Sequence, residues 1–138
     1  MPTVVCGPNV LKDSYCDVPI IGWDFLPTFS DLIGNKKTLP KDIDGGSLKD
    51  VFEKGNEGVV KRPTQGLMFQ CFLWGGSQVP SAAIRDGDYK LVENLVTNES
   101  RLYNISEDIG EKKNLAKAMP EKTALLRKKL LNYLKLVD

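Results

Sequence analysis

Between Ser81 and Ile105 the chain alternates strand-forming runs with turn signals at short, regular spacing, and that pattern limits the fold more than any other feature. Ser81–Arg85 and Asp88–Val92 flank Asp86-Gly87, a dipeptide that supplies the positive φ angles of a two-residue hairpin turn. Arg101–Ile105 returns as a third strand after a turn over Thr97–Ser100. Ahead of them, Leu67–Trp74 is nearly continuous apolar sequence between glycines, which reads as a strand covered on both faces. Pro120 then opens a closing helix at its first position, with Glu121 at the positive end of the helix dipole. Leu126, Leu130, Tyr133, Leu134 and Val137 share one stripe of that helix, while Lys122, Lys129 and Lys135 lie elsewhere and Arg127-Lys128-Lys129 reads as a solvated face. Such a stripe needs a sheet to cover, and the strands supply one. The expected class is α+β: a small antiparallel meander covered by a carboxy-terminal amphipathic helix, preceded by a strand–helix remnant of a larger α/β domain.

The first half is less regular. Pro2–Val5 and Val18–Gly22 are short apolar runs stopped by turn residues and read as strands. Asp24 offers a helix N-cap, Pro27 falls in the first turn, and Phe25, Leu26, Phe29, Leu32 and Ile33 keep an i, i+3, i+4, i+7 spacing closed by Gly34-Asn35. Ser47 is placed to cap a helix of one or two turns running to Lys54. The polar stretch Gly55–Gly66 is the internal boundary, which divides the chain into residues 1–55 and 56–138.

Composition narrows the chemistry. Nineteen basic and eighteen acidic residues leave a net charge of +1 over 138 residues, without the clustered basic excess of a nucleic-acid binder. No apolar run approaches the ~20 residues of a membrane span, and the start MPTVVCGPNV has no basic segment and long apolar core of a signal peptide. Histidine is absent, which removes the usual general base and the commonest metal ligand. Cys6, Cys16 and Cys71 are odd in number and lack CxxC spacing, so they read as small apolar residues, with a Cys6–Cys16 bridge left open.

Several motifs invite a functional reading and fall short of it. Asp42-x-Asp44-Gly45 starts like a calcium loop, but Gly46 stands where a third oxygen ligand belongs and no Glu follows at the required distance. Asn98-Glu99-Ser100 and Asn104-Ile105-Ser106 fit the glycosylation sequon, a tripeptide common by chance. Trp74, Gln78 and Arg85 are the residues around which a pocket would form, because Trp74 precedes a Gly75-Gly76 loop of the kind that rims binding sites. The competing reading makes Trp74 the edge of a core and pairs Arg85 with Asp86 or Asp88.

Five stretches, in order, resemble the carboxy-terminal end of sulfatases, the sulfate-ester hydrolases of the alkaline-phosphatase-like superfamily. Met1-Pro-Thr-Val-Val5 is similar to a family strand, Trp23–Gly34 to the helix D-L-x-P-T-x-x-x-L-A-G, and Asp44-Gly-Gly-Ser-Leu48 to the turn D-G-x-S-L. Pro80–Leu91 resembles P-S-x-A-I-R-x-G-x-x-K-L, and Leu102–Ala116 resembles L-Y-N-L-x-x-D-P-x-E-x-x-N-L-A, with Ile109 in place of the Pro. Gln70–Gly76 stands where many members place histidines. The resemblance implies that the formylglycine nucleophile, the calcium-binding carboxylates and the sulfate-gripping residues precede Met1. Cys6-Gly7-Pro8-Asn9-Val10 matches the nucleophile motif C-x-P-x-R only in its Cys and Pro, with Val10 in the Arg position.

The expected role is accordingly that of a carboxy-terminal part of a sulfatase, inactive alone, with no catalytic residue, metal site or cofactor of its own. Its expected partners are the missing amino-terminal catalytic domain and, in the whole enzyme, a sulfated small molecule or glycan; a periplasmic or secreted parent suits the family. Neither nucleic acid nor membrane is expected as a partner. A bare sheet edge would promote self-association. The alternative is a free-standing binding or assembly module with Trp74 and the edge strand as its surface.

Overall fold

A computed structural model describes residues 3–35, 39–64, 66–71 and 79–137. Two compact units divide the chain, Met1–Thr64 and Gln65–Asp138. The division falls after Thr64 rather than after Gly55, because the single 3-10 turn Gly55–Glu57 and the segment up to Arg62 remain tied to the first unit: Leu11 N–H donates to the Phe52 carbonyl, and the Arg62 guanidinium reaches Asp24.

The second unit is a four-stranded antiparallel sheet in the order β1-β2-β3-β4, formed by β1 (Leu67–Cys71), β2 (Ser81–Asp86), β3 (Tyr89–Asn94) and β4 (Ser100–Asn104). The register sets Met68 against Ile84, Ile84 against Leu91, and Leu91 against Leu102, so these four apolar side chains form one row across one face. Alternation along each strand brings them to that face together. The α3 helix (Pro120–Val137) lays Leu126, Leu130 and Leu134 on this row, and Ile84, Leu91, Leu102, Leu126 and Leu130 are fully buried. The α+β meander with its closing helix is therefore present.

Four details differ from expectation. The hairpin loop is Gly87-Asp88, with Asp86 paired to Tyr89, and only Gly87 has positive φ (61°), the Gly-first form of a two-residue turn. β1 is an edge strand, and only Leu67 and Met68 of it are buried; Phe69, Gln70 and Cys71 are exposed. Val137 is half exposed at the fraying end of α3. The basic residues of α3 are not simply solvated: Arg127 pairs with Glu93 at 2.8 Å, Lys129 with Asp86 at 2.7 Å, and Lys122 sits 4.6 Å from the centre of the Tyr89 ring.

The first unit contains α1 (Phe25–Leu32) and α2 (Lys49–Lys54), joined to irregular segments. The expected strands over Pro2–Val5 and Val18–Gly22 are absent from their described residues, since no neighbouring strand in the unit offers a hydrogen-bonded ladder. At its end α1 closes as predicted, with Gly34 at φ 73° and hydrogen bonds from Gly34 N–H to the Asp31 carbonyl and from Asn35 N–H to the Ser30 carbonyl. Its start is different: the Asp24 carboxylate accepts from Ile21 N–H rather than from the first turn of α1.

The orientation of α1 is the main surprise. Its buried residues are Pro27, Thr28 and Ser30, whereas Phe25, Leu26, Phe29 and Leu32, with Ile33 just beyond the helix, are exposed. Phe25 and Phe29 stack on one another, ring centroids 6.2 Å apart. The helix is amphipathic as its periodicity predicts, but it turns its polar side inward.

Candidate functional site

Sequence reasoning named Trp74, Gln78 and Arg85. Trp74 and Gln78 lie outside the described residues. Arg85 stands on β2 opposite Lys90, and its Nε donates to the Gly87 carbonyl at 3.3 Å, which lays the guanidinium over the end of the hairpin. The expected pairing of Arg85 with Asp86 or Asp88 does not form; Asp86 faces the helix side of the sheet, where it receives Lys129. Arg85 is thus the one candidate that the structure places, and it does so by its own strand and turn.

Polar side chains converge instead on two networks that position backbone. In the first unit Asp24 is fully buried and receives both arms of Arg62, Nε at 2.9 Å on Oδ1 and Nη2 at 2.6 Å on Oδ2. Gly46 N–H and Ile21 N–H also donate to this carboxylate, and Arg62 Nη2 reaches the Pro19 carbonyl. Burial alone would raise the Asp24 pKa, but the Arg62 hydrogen bonds, the two backbone donors and the Arg62 charge together hold it below the ordinary carboxylate value.

One helical turn on, Thr28 Oγ1 accepts from Leu48 N–H at 2.9 Å and donates to the Asp24 carbonyl, while Ser47 Oγ donates to Asp31 Oδ2 at 2.8 Å. The same Ser47 oxygen accepts from Lys49 N–H, so Ser47 serves the start of α2 as expected. Gly45 and Gly46 must be glycines for this approach: a Cβ on Gly45 would lie 2.0 Å from the Trp23 carbonyl oxygen, and one on Gly46 2.4 Å from that of Lys61. The Trp23–Gly34 and Asp44–Leu48 stretches are therefore two halves of one knot.

The second network follows β4. Asn114 Oδ1 accepts from Leu102 N–H at 3.1 Å and from Ala116 N–H at 2.9 Å, and Leu115 N–H donates to the Leu102 carbonyl at 2.7 Å. These bonds occupy the outer edge of β4, an edge that would otherwise template another strand. The acidic turn that delivers Asn114 is held by Asp108, whose carboxylate accepts from the Lys113 and Lys112 N–H groups and is kept below its ordinary pKa by them, over a small opposing effect of desolvation. Glu111 takes positive φ (53°) and sends its carboxylate to Lys90 Nζ at 2.5 Å. On the opposite face of the sheet the buried Glu93 accepts from Ser100 Oγ and from Arg127 Nε.

The Cys6 motif is a turn, closed by Val10 N–H to the Gly7 carbonyl, with Cys6 exposed and Asn9 at φ 62°. Among the described residues no three His, Cys, Asp or Glu side chains come together as a metal site, and none of their helices is long and apolar enough to cross a membrane. Neither formylglycine nor calcium fits the residues present, and no chemical step is assigned to them.

Solved structures share this arrangement. BT4656, solved in complex with its substrate D-glucosamine-2-N,6-O-disulfate, aligns over 81% of this chain at 26% identity and a TM-score of 0.65. BT1596, described as a 2-O GAG sulfatase, aligns over 81% at 28% identity and a TM-score of 0.63. The chain belongs with the sulfatases, as a carboxy-terminal part. Ps i-CgsB, solved with k-i-k-neocarrahexaose, shares the fold at 23% identity and a TM-score of 0.61. The chain spans about a quarter of these sulfatases, 23% of BT4656 and 24% of BT1596. No family model matches the chain, and no curated protein does.

Proximity in sequence could not reveal the Asp24–Arg62 pair, whose members are 38 residues apart in a chain segment without periodicity. Asn114 carried a signal only through the sulfatase resemblance.

Proposed function

We propose that this chain is the carboxy-terminal scaffold of a sulfate-ester hydrolase, inactive by itself, which buttresses an upstream catalytic domain and walls one side of its substrate cleft. The observation that carries the reading is the use made of the signature residues. Asp24, Thr28, Ser47, Lys90, Glu111 and Asn114 are all engaged within the chain, on backbone or on one another. Residues conserving a fold in this way belong to a support, and the reaction then falls to upstream groups, with formylglycine as nucleophile and calcium beside it. A sulfated sugar is the substrate class that fits the neighbouring enzymes, and Arg85 is the described residue that would stand at the cleft rim. A periplasmic or secreted location suits such a substrate.

The test is an aryl sulfate assay with calcium on the 138-residue chain and on the whole polypeptide of its gene. Turnover by the whole polypeptide alone is the expected result. Turnover by the short chain that disappears in Cys6→Ala would overturn the proposal.

A second reading, a free-standing binding module, draws on the exposed half of edge strand β1, Phe69–Cys71. Saturable binding of a carbohydrate or peptide by the monomeric 138-residue chain would favour it.

A further inference from the structure

Unit 1 is built inside out. Within it the fully buried side chains of Asp24 and Thr28 are polar and mutually satisfied, while Phe25, Leu26, Phe29, Leu32 and Ile33 stand in solvent, Phe29 60% and Ile33 76% exposed. Scattered exposed apolar residues are normal on a protein surface, but five on consecutive turns of one helix form a contiguous patch. No charged side chain interrupts it: Asp31, the one charged residue within α1, is turned toward Ser47. The polar knot beneath fixes the helix rigidly, so the patch cannot turn inward without breaking the Asp24–Arg62 pair and the Thr28–Leu48 bond.

We infer that the apolar face of α1 is a docking surface whose occupant is an apolar face of the upstream part of the same polypeptide. This rests on the reading of the chain as part of a larger sulfatase. Two observations select that occupant over a second copy of the chain. At roughly 150–200 Å² for a fully exposed large side chain, the five residues offer on the order of 500 Å², below the ~800 Å² per partner that a stable association of separate molecules requires. A patch of that size suffices when the partner is covalently joined and no association entropy is lost. The chain also spans only 23% of BT4656, so most of such a sulfatase lies outside it. The matching surface must be uncharged and must accept the stacked Phe25–Phe29 pair.

Hydroxyl-radical footprinting of Phe25 and Phe29 tests this without any substitution, with buried Leu126 and Leu130 as internal controls. In the 138-residue chain both rings are expected to label readily. In the whole polypeptide their labelling is expected to fall by roughly an order of magnitude, as for side chains closed into a packed interface. A whole polypeptide with sulfatase activity in which both rings still label would overturn the docking inference and leave the proposed function standing. A gene encoding no upstream sulfatase part would overturn both. Protection already present in the 138-residue chain, whether by its own second unit or by a dimer seen in sedimentation, would assign the face to a different occupant and equally sink the inference.

Discussion

Asp24 shows how much a single side chain holds together. Four donors converge on its carboxylate from three separate segments, and removal of the cation would leave a buried charge without a partner. Arg62→Met is expected to destabilise the first unit by about 3–5 kcal/mol, the usual cost of breaking a buried pair, read from urea unfolding followed on the Trp23 fluorescence. The pH dependence follows from the direction of the shift. Because the folded carboxyl has a lower pKa than the unfolded one, the unfolded chain takes up its proton first as pH falls. The stabilisation is complete above the ordinary value of 3.8 and is lost as the pH drops through the lower folded value. Urea midpoints between pH 6 and pH 3 should therefore fall more steeply for the wild type than for Asp24→Asn, which has no carboxyl to protonate; parallel curves would refute this. At Gly46, Ala substitution forces a 2.4 Å contact with backbone, so Gly46→Ala is expected to cost on the order of 1–3 kcal/mol, the range of overpacking.

At the scale of elements, the second unit was largely legible and the first was not. The hairpin, the return strand and α3 announce themselves through local spacing, period 2 for strands and the Leu126, Leu130, Leu134 stripe for the helix, and the structure places them together. The error of one residue in the hairpin turn arose because Asp-Gly and Gly-Asp are both turn dipeptides, and the cross-strand pairing decides between them. α1 was located from its spacing, but periodicity says only that one face is apolar; what covers that face is not encoded in the helix itself. The ion pairs of α3 were missed because Glu93 and Asp86 meet Arg127 and Lys129 only once the sheet has formed. Arg127→Leu should destabilise the second unit by about 3–5 kcal/mol, since Glu93 is fully buried and would keep only its Ser100 partner. Gly87→Ala forces a left-handed conformation on a residue with a Cβ and is expected to cost about 1–2 kcal/mol. Both effects can be measured by thermal unfolding followed in the far-ultraviolet.

For the whole molecule, the two units are expected to differ in stability, because one is centred on stacked aliphatic side chains and the other on polar groups and glycines. Native-state hydrogen exchange should find the amides of β2 and β3 slower than those of α1; equal rates would contradict this assignment of the core. The order β1-β2-β3-β4 carries a further consequence, for kinetics. Every ladder joins segments that are neighbours along the chain, so each closes a short loop and no pairing waits on a distant strand. The second unit can therefore assemble quickly from its own residues, whereas α1 reaches its final surroundings only when a larger body has formed. During synthesis the quick unit would stand as a finished handle on a slower one, and the interval between the two events is when the Phe25–Phe29 face would be most exposed to chaperones.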